Sequence, residues 1–107
     1  MFQARQGDVL VTSVKSIPQG ATFVKNEGRI VLAYGEVTGH AHALSVADAQ
    51  EFTMADARGI VRRFLQVLDG GATLRHEEHA PIVMPPGVYE IVQQREYFPD
   101  DIRSVAD

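Results

Sequence analysis

Short apolar runs separated by turn residues dominate the pattern along this chain. "DVLVTSV" (8–14) is a β-branched run opening at Gly7, and "RIVLAY" (29–34) follows the turn "NEG", where Gly28 can supply a positive φ. "VYEIVQQREYF" (88–98) alternates Tyr89, Ile91, Gln93, Arg95 and Tyr97 against Val88, Glu90, Val92, Gln94 and Glu96, and reads as one long strand ending before Pro99. Between the runs stand "IPQG", "NEG", "TG", "DGG" and "PPG". A period of two with turn chemistry at short intervals predicts many short strands, hence a mainly β, single-domain small barrel or sandwich over residues 1–107.

Two segments carry a mixed signal. "GIVRRFLQVLDGG" (59–71) places Ile60, Val61, Phe64, Leu65 and Leu68 at helical spacing, with Gly70 as a C-terminal cap. The same residues also read as a strand, with "DGG" turning into "ATLRH" as a hairpin. The β signals on both sides favour the hairpin. "SVADAQEFTMADARG" (45–59) has no clean period and reads as a loop with a short helical turn. From Pro99 onward the chain is a polar tail with at most one turn of helix.

Composition narrows the chemistry. Hydrophobic residues make up 45% and charged residues 22%, an ordinary globular balance. The chain holds no cysteine, which excludes disulfides, thiolate metal sites and a cysteine nucleophile. Any metal must be held by imidazole, carboxylate or backbone oxygen. The formal charge is −4, and Arg62, Arg63, Arg75 and Arg95 are scattered rather than massed, so a duplex nucleic acid is not the expected partner. "MFQARQGDVL" has no apolar signal region and no run reaches the ~18 apolar residues of a membrane span, so the expected location is the cytoplasm.

All four histidines fall into two pairs, "GHAH" with His40 and His42, and "HEEH" with His76 and His79. In a strand over "GHAHALSV", His40, His42, Leu44 and Val46 share one face while Ala41, Ala43 and Ser45 share the other. "ATLRH" likewise aligns Ala72, Leu74 and His76. Both pairs therefore sit in line with apolar, inward-looking positions. Two imidazoles at i and i+2 can grip one divalent ion (Zn²⁺, Fe²⁺, Mn²⁺ or Ni²⁺) from one side. His79 breaks the parity of His76, and Pro81 makes a bend there that can bring it back. Glu77 and Glu78 are candidate oxygen ligands or acid/base groups, as is Glu36 just before the first pair.

Three readings follow from that cluster. In the first, three ligands drawn from His40, His42, His76 and His79 hold a metal with an open position, and Glu36, Glu77 or Glu78 serves as acid/base in hydrolysis of a phosphoester or amide in a small-molecule substrate. In the second, four ligands close a non-catalytic site that staples a small core. In the third, metal-free histidines act as acid and base on a phosphodiester. Unpaired strand edges in so short a chain lead us to expect a homodimer.

"RQGDVLV", "GEVTGHAHAL" and "HEEHAPIVMPPGVYEIVQQREY" together resemble an uncharacterised group of small bacterial and phage-encoded proteins. The likeness spans nearly the whole chain and implies that the two histidine segments belong to one site. "GHAH" and "IVMPPGVYEI" are also similar to elements of the cupins, metal-binding β-barrels. Their later histidine follows the second element, whereas here "HEEH" precedes "PPG".

Overall fold

The computed structural model describes residues 1–35 and 39–94, and the backbone alone of 100–101 and 103–104. Every regular element among them is a strand. The larger layer is a six-stranded antiparallel sheet. It contains β1 (Gln3–Gln6), β2 (Val9–Val14), β3 (Thr22–Val24), β6 (Ala49–Ala55), β7 (Val61–Val67) and β10 (Gly87–Gln93), in the order β1-β2-β10-β7-β6-β3. The smaller layer consists of two hairpin ladders. One pairs β4 (Arg29–Tyr34) with β5 (Ala41–Ser45), the other β8 (Ala72–Leu74) with β9 (Ile82–Met84). A bridge between Ala43 and Arg75 joins them, so β5 and β8 run side by side.

Alternation explains how the layers meet. Val9, Val11, Leu65, Val67, Tyr89 and Ile91 project from the large sheet into one core with Ile30, Leu32, Leu44, Leu74 and Met84 from the small layer. Fully burying a side chain such as Ile30 or Leu65 contributes about 1.5–3 kcal/mol. That shared core makes the fold sandwich-like. The sheets do not close, which corrects the barrel alternative and removes the closure that a cupin likeness implies.

Two local expectations are overturned for identifiable reasons. Residues 61–67 are a strand, but not half of a hairpin with 72–74. β7 pairs with β6 and β10, while "DGG" turns the chain into the other layer, with Gly71 at φ +76 donating its N–H to Leu68 O. β7 looked helical because it is apolar on both faces: Leu65 and Val67 enter the core, and Phe64 is buried on the far side. β6 replaces the expected loop. Its alternation is masked by Glu51, a carboxylate at an inward position, only 5% exposed and ion-paired with Arg63 at 2.7 Å. The terminal strand ends at Gln93, and the rest of its expected span, 95–98, lies outside the described residues. Asp100–Asp101 pairs with Arg103–Ser104 in place of a helical turn.

Candidate metal centre

The site is built where three elements converge. His42 lies in the middle of β5 and is 3% exposed. Opposite it, β4 carries a bulge between Val31 and Ala33. Such irregularities bend a strand and re-aim its side chains. The Ala43–Arg75 bridge fixes the end of β8 beside β5, so His76 arrives next to His42 with ring centroids 4.3 Å apart. The loop after His76 returns His79 to within 4.6 Å of His76 and 5.7 Å of His42, centroid to centroid. His40 stands on the other side of His76 at 5.8 Å. The structure thus brings all four histidines together.

Two groupings of ligand atoms result. His42, His76 and His79 place one ligand atom each within 4.8 Å of one another, and so do His40, His76 and Glu77. A tetrahedral ion with bonds of ~2.0–2.1 Å needs its nitrogens about 3.3 Å apart. Side-chain movement that draws the three atoms from their present spacing of at most 4.8 Å to that value would complete the first set. The histidines open onto a cleft of about 530 Å³ that is also lined by Asp8, Glu78 and Arg5.

Gln6, not flagged by its sequence, organises the centre. Its Nε2 donates to Leu74 O at 3.0 Å and to Ala80 O at 2.9 Å, so its Oε1 is the acceptor facing His42 Nδ1 at 2.9 Å. A neutral His42 therefore carries its proton on Nδ1 and turns the lone pair of Nε2 toward the cleft, where Asp8 Oδ1 lies at 3.6 Å. The same amide brackets the segment from 74 to 80 that holds His76 and His79. Burial, then the neighbouring His76, lowers the pKa of His42 and keeps it in the neutral, ligating form, against the opposing pull of Asp8.

Glycines admit the rings. Gly7 forms the two-residue β1–β2 turn with Asp8 at φ +58, and a Cβ there would lie 2.9 Å from His79 Nε2 and 3.1 Å from His42 Cε1. A Cβ on Gly35 would meet His40 Cβ and His76 Nε2, each at 3.1 Å. In sequence Gly7 and Asp8 only open a β-branched run; their role at the site, with Gln6, comes from folding onto His42 and onto residues 74–80.

The acidic candidates separate. Glu77 accepts the Ala41 N–H at 2.9 Å, which is the first cause of its lowered pKa, so it is held as a carboxylate bound to β5. Glu78 reaches the cleft, its Oε2 3.7 Å from His40 Nδ1. That Nδ1 is buried and has no hydrogen-bond partner among the described residues. The Glu78 N–H donates to His76 Nδ1 at 3.0 Å, which leaves the proton of a neutral His76 on Nε2. His76 must give up one of those arrangements to ligate, whereas His42 is already set. Glu36 lies outside the described residues.

Among the described residues no helix is long and apolar enough to cross a membrane. No curated protein and no solved structure matches this chain. A family model does match, over residues 5–94, and its span takes in the Gln6–Asp8 turn and both histidine pairs; the chain belongs to the family described as a domain of unknown function, DUF8820.

Proposed function

We propose that this protein binds one divalent metal ion through His42, His76 and His79, and that the ion serves hydrolysis of a phosphoester or amide in a small-molecule substrate. The observation that carries the reading is the convergence of three imidazoles at the wall of an open cleft. Three protein ligands with a further position open to solvent is the arrangement of catalytic zinc sites, while structural sites close with a fourth ligand. All-imidazole donors favour Zn²⁺, Fe²⁺ or Ni²⁺ over the harder Mn²⁺. Asp8 and Glu78 are the carboxylates placed to move a proton in the cleft; Glu77 is held by β5. One observation favours a second reading: His42 Nε2 faces Asp8 Oδ1 at 3.6 Å, a pair able to work as metal-free acid and base.

The test is equilibrium dialysis against each ion, with metal content read by mass spectrometry. The wild-type chain should retain one equivalent, and His42→Ala and His76→Ala should each lose it. The double variant should lose nothing further, because groups acting through one shared ion are not additive. A chain that retains no ion at micromolar concentration passes first place to the acid/base reading.

A further inference from the structure

The outer face of β5, opposite His42, carries a second pocket with different chemistry. It has a volume of about 620 Å³ and includes Arg29, Arg75, Ser45, Thr73 and Ala43 in its wall. Register explains the grouping. Arg29 stands directly across from Ser45 on the β4 side, and Ala43 is directly across from Arg75 on the β8 side. Residues directly opposite in antiparallel strands share a face. Arg75 is held there by two backbone bonds, Ala43 N–H to Arg75 O at 3.0 Å and Arg75 N–H to Ala43 O at 2.9 Å. The two arginines thus flank β5 from either side, over a floor of small side chains.

The guanidinium donors at this spot are unspent, although Asp48 and Glu77 share the wall with them. Neither guanidinium forms an ion pair or hydrogen bond among the described residues, although the chain has 14 acidic residues against 10 basic ones. Ser45 Oγ already accepts the Ala47 N–H at 3.1 Å, which frees its hydroxyl proton to donate, and Thr73 adds a second hydroxyl. Two carboxylates also line the pocket: Glu77 is committed to the Ala41 N–H, and Asp48 remains. Planar guanidinium forks match the oxygens of phosphate and carboxylate groups, and their weak hydration makes them suited to such contacts.

We propose that this pocket is an oxyanion site in which Arg29 and Arg75 clasp the phosphate or carboxylate group of a small ligand, assisted by the Ser45 and Thr73 hydroxyls. It rests on the outer-face register and not on the histidines binding an ion. His76 lines both this pocket and the histidine cleft, so a ligand seated here lies against the metal centre's own wall.

The experiment is an amide NMR titration of the chelated full chain with inorganic phosphate and, separately, with acetate, at constant ionic strength held by sodium chloride. Saturable shifts centred on Ala43, Ser45 and Arg75 are expected with at least one of the two anions, and which one responds identifies the ligand class. Arg29→Gln and Arg75→Gln, both at exposed positions, should each weaken that binding at least tenfold. His79→Ala should leave it unchanged, which separates this site from the metal reading. Shifts reproduced by chloride alone, no saturation with either anion, or wild-type affinity in both arginine variants would overturn the proposal.

Discussion

Among the described residues, polar side chains are buried in two places, and the two are finished differently. On the large sheet, Glu51 accepts Asn26 Nδ2 at 3.0 Å through one oxygen and Arg63 Nε at 2.9 Å through the other. Arg63 goes on to donate to the carbonyls of Val31 and Leu32, at the β4 bulge. Each carboxylate oxygen has a donor, and the guanidinium ties one layer to the other. In the histidine cluster, His42 Nδ1 is satisfied by Gln6, but Nε2 faces the cleft, and buried His40 Nδ1 has no hydrogen-bond partner among the described residues, with Glu78 Oε2 no nearer than 3.7 Å. Groups that only hold a fold together close their hydrogen bonds. Lone pairs kept aimed into a shared opening are what a ligand needs.

The largest effect should come from breaking the closed cluster. Glu51→Ala leaves Arg63 and Asn26 without their acceptor, and removing one member of a buried pair costs about 3 kcal/mol. In a domain of this size that lowers the melting temperature by roughly 10 °C or more. A variant that melts with the wild type would show that the Glu51 cluster carries no stability and would erase the contrast.

The open cluster should answer the opposite way. His79 is exposed at the cleft, so His79→Ala should leave the metal-free melting temperature unchanged within about 0.5 kcal/mol, the usual range for surface changes. Affinity for Zn²⁺ should nevertheless fall by about a hundredfold or more with one of three ligands gone. Competition with a zinc-sensitive dye reads the affinity and calorimetry the stability. Unchanged affinity would remove His79 from the ligand set.

A smaller change is expected one step behind the ligands. Gln6→Leu keeps the volume but removes the acceptor for His42 Nδ1 and both bonds to the 74–80 segment. Partners that orient a ligating histidine are worth about 10- to 100-fold in metal affinity. Gln6→Glu should restore most of the affinity, since a carboxylate still accepts from Nδ1. If Gln6→Leu binds zinc as tightly as wild type, the ring orientation is set by packing alone.

How much of this was legible in the chain divides along the same line. The parity of "GHAHALSV" and "ATLRH" aligns His42 and His76 with Leu44 and Leu74, because alternation is local, although β5 is buried on both faces from Ala41 to Leu44. The closed cluster was invisible: Glu51 occupies an inward position that polarity argues against, and only Arg63, reached by the pairing of β6 with β7, makes it tolerable. For the same reason β6 read as a loop. Gly7 and Asp8 lay in plain view as the opening of a β-branched run, with Gln6 just before them. Their bearing on the site depends on the tertiary meeting of a hairpin turn with residues 42 and 79, and no local period encodes it.

The last and smallest effect concerns protons on the metal-free chain. In the unfolded chain His42 titrates near its ordinary ~6.5. In the native state burial and the adjacent His76 depress it. Between the two values the unfolded chain binds a proton that the folded chain refuses. The stability contributed by a neutral His42 is therefore fully present above ~6.5 and is lost as pH falls through the depressed native value. Glu77 acts in the same direction, since its Ala41 bond lowers its pKa, but its contribution is lost only in the acid range of carboxylates. The His42 effect thus sets in just below ~6.5, where the carboxylate of Glu77 is still ionised folded and unfolded. Melting of chelated protein between pH 7.5 and 5 should show stability declining toward acid, and His42→Gln should flatten that slope. Glu77→Gln should leave it in place and act only below it. An identical slope in wild type and His42→Gln would mean that the buried imidazole is as easily protonated folded as unfolded, and the picture of lone pairs held ready in the cleft would fail at its best-defined residue.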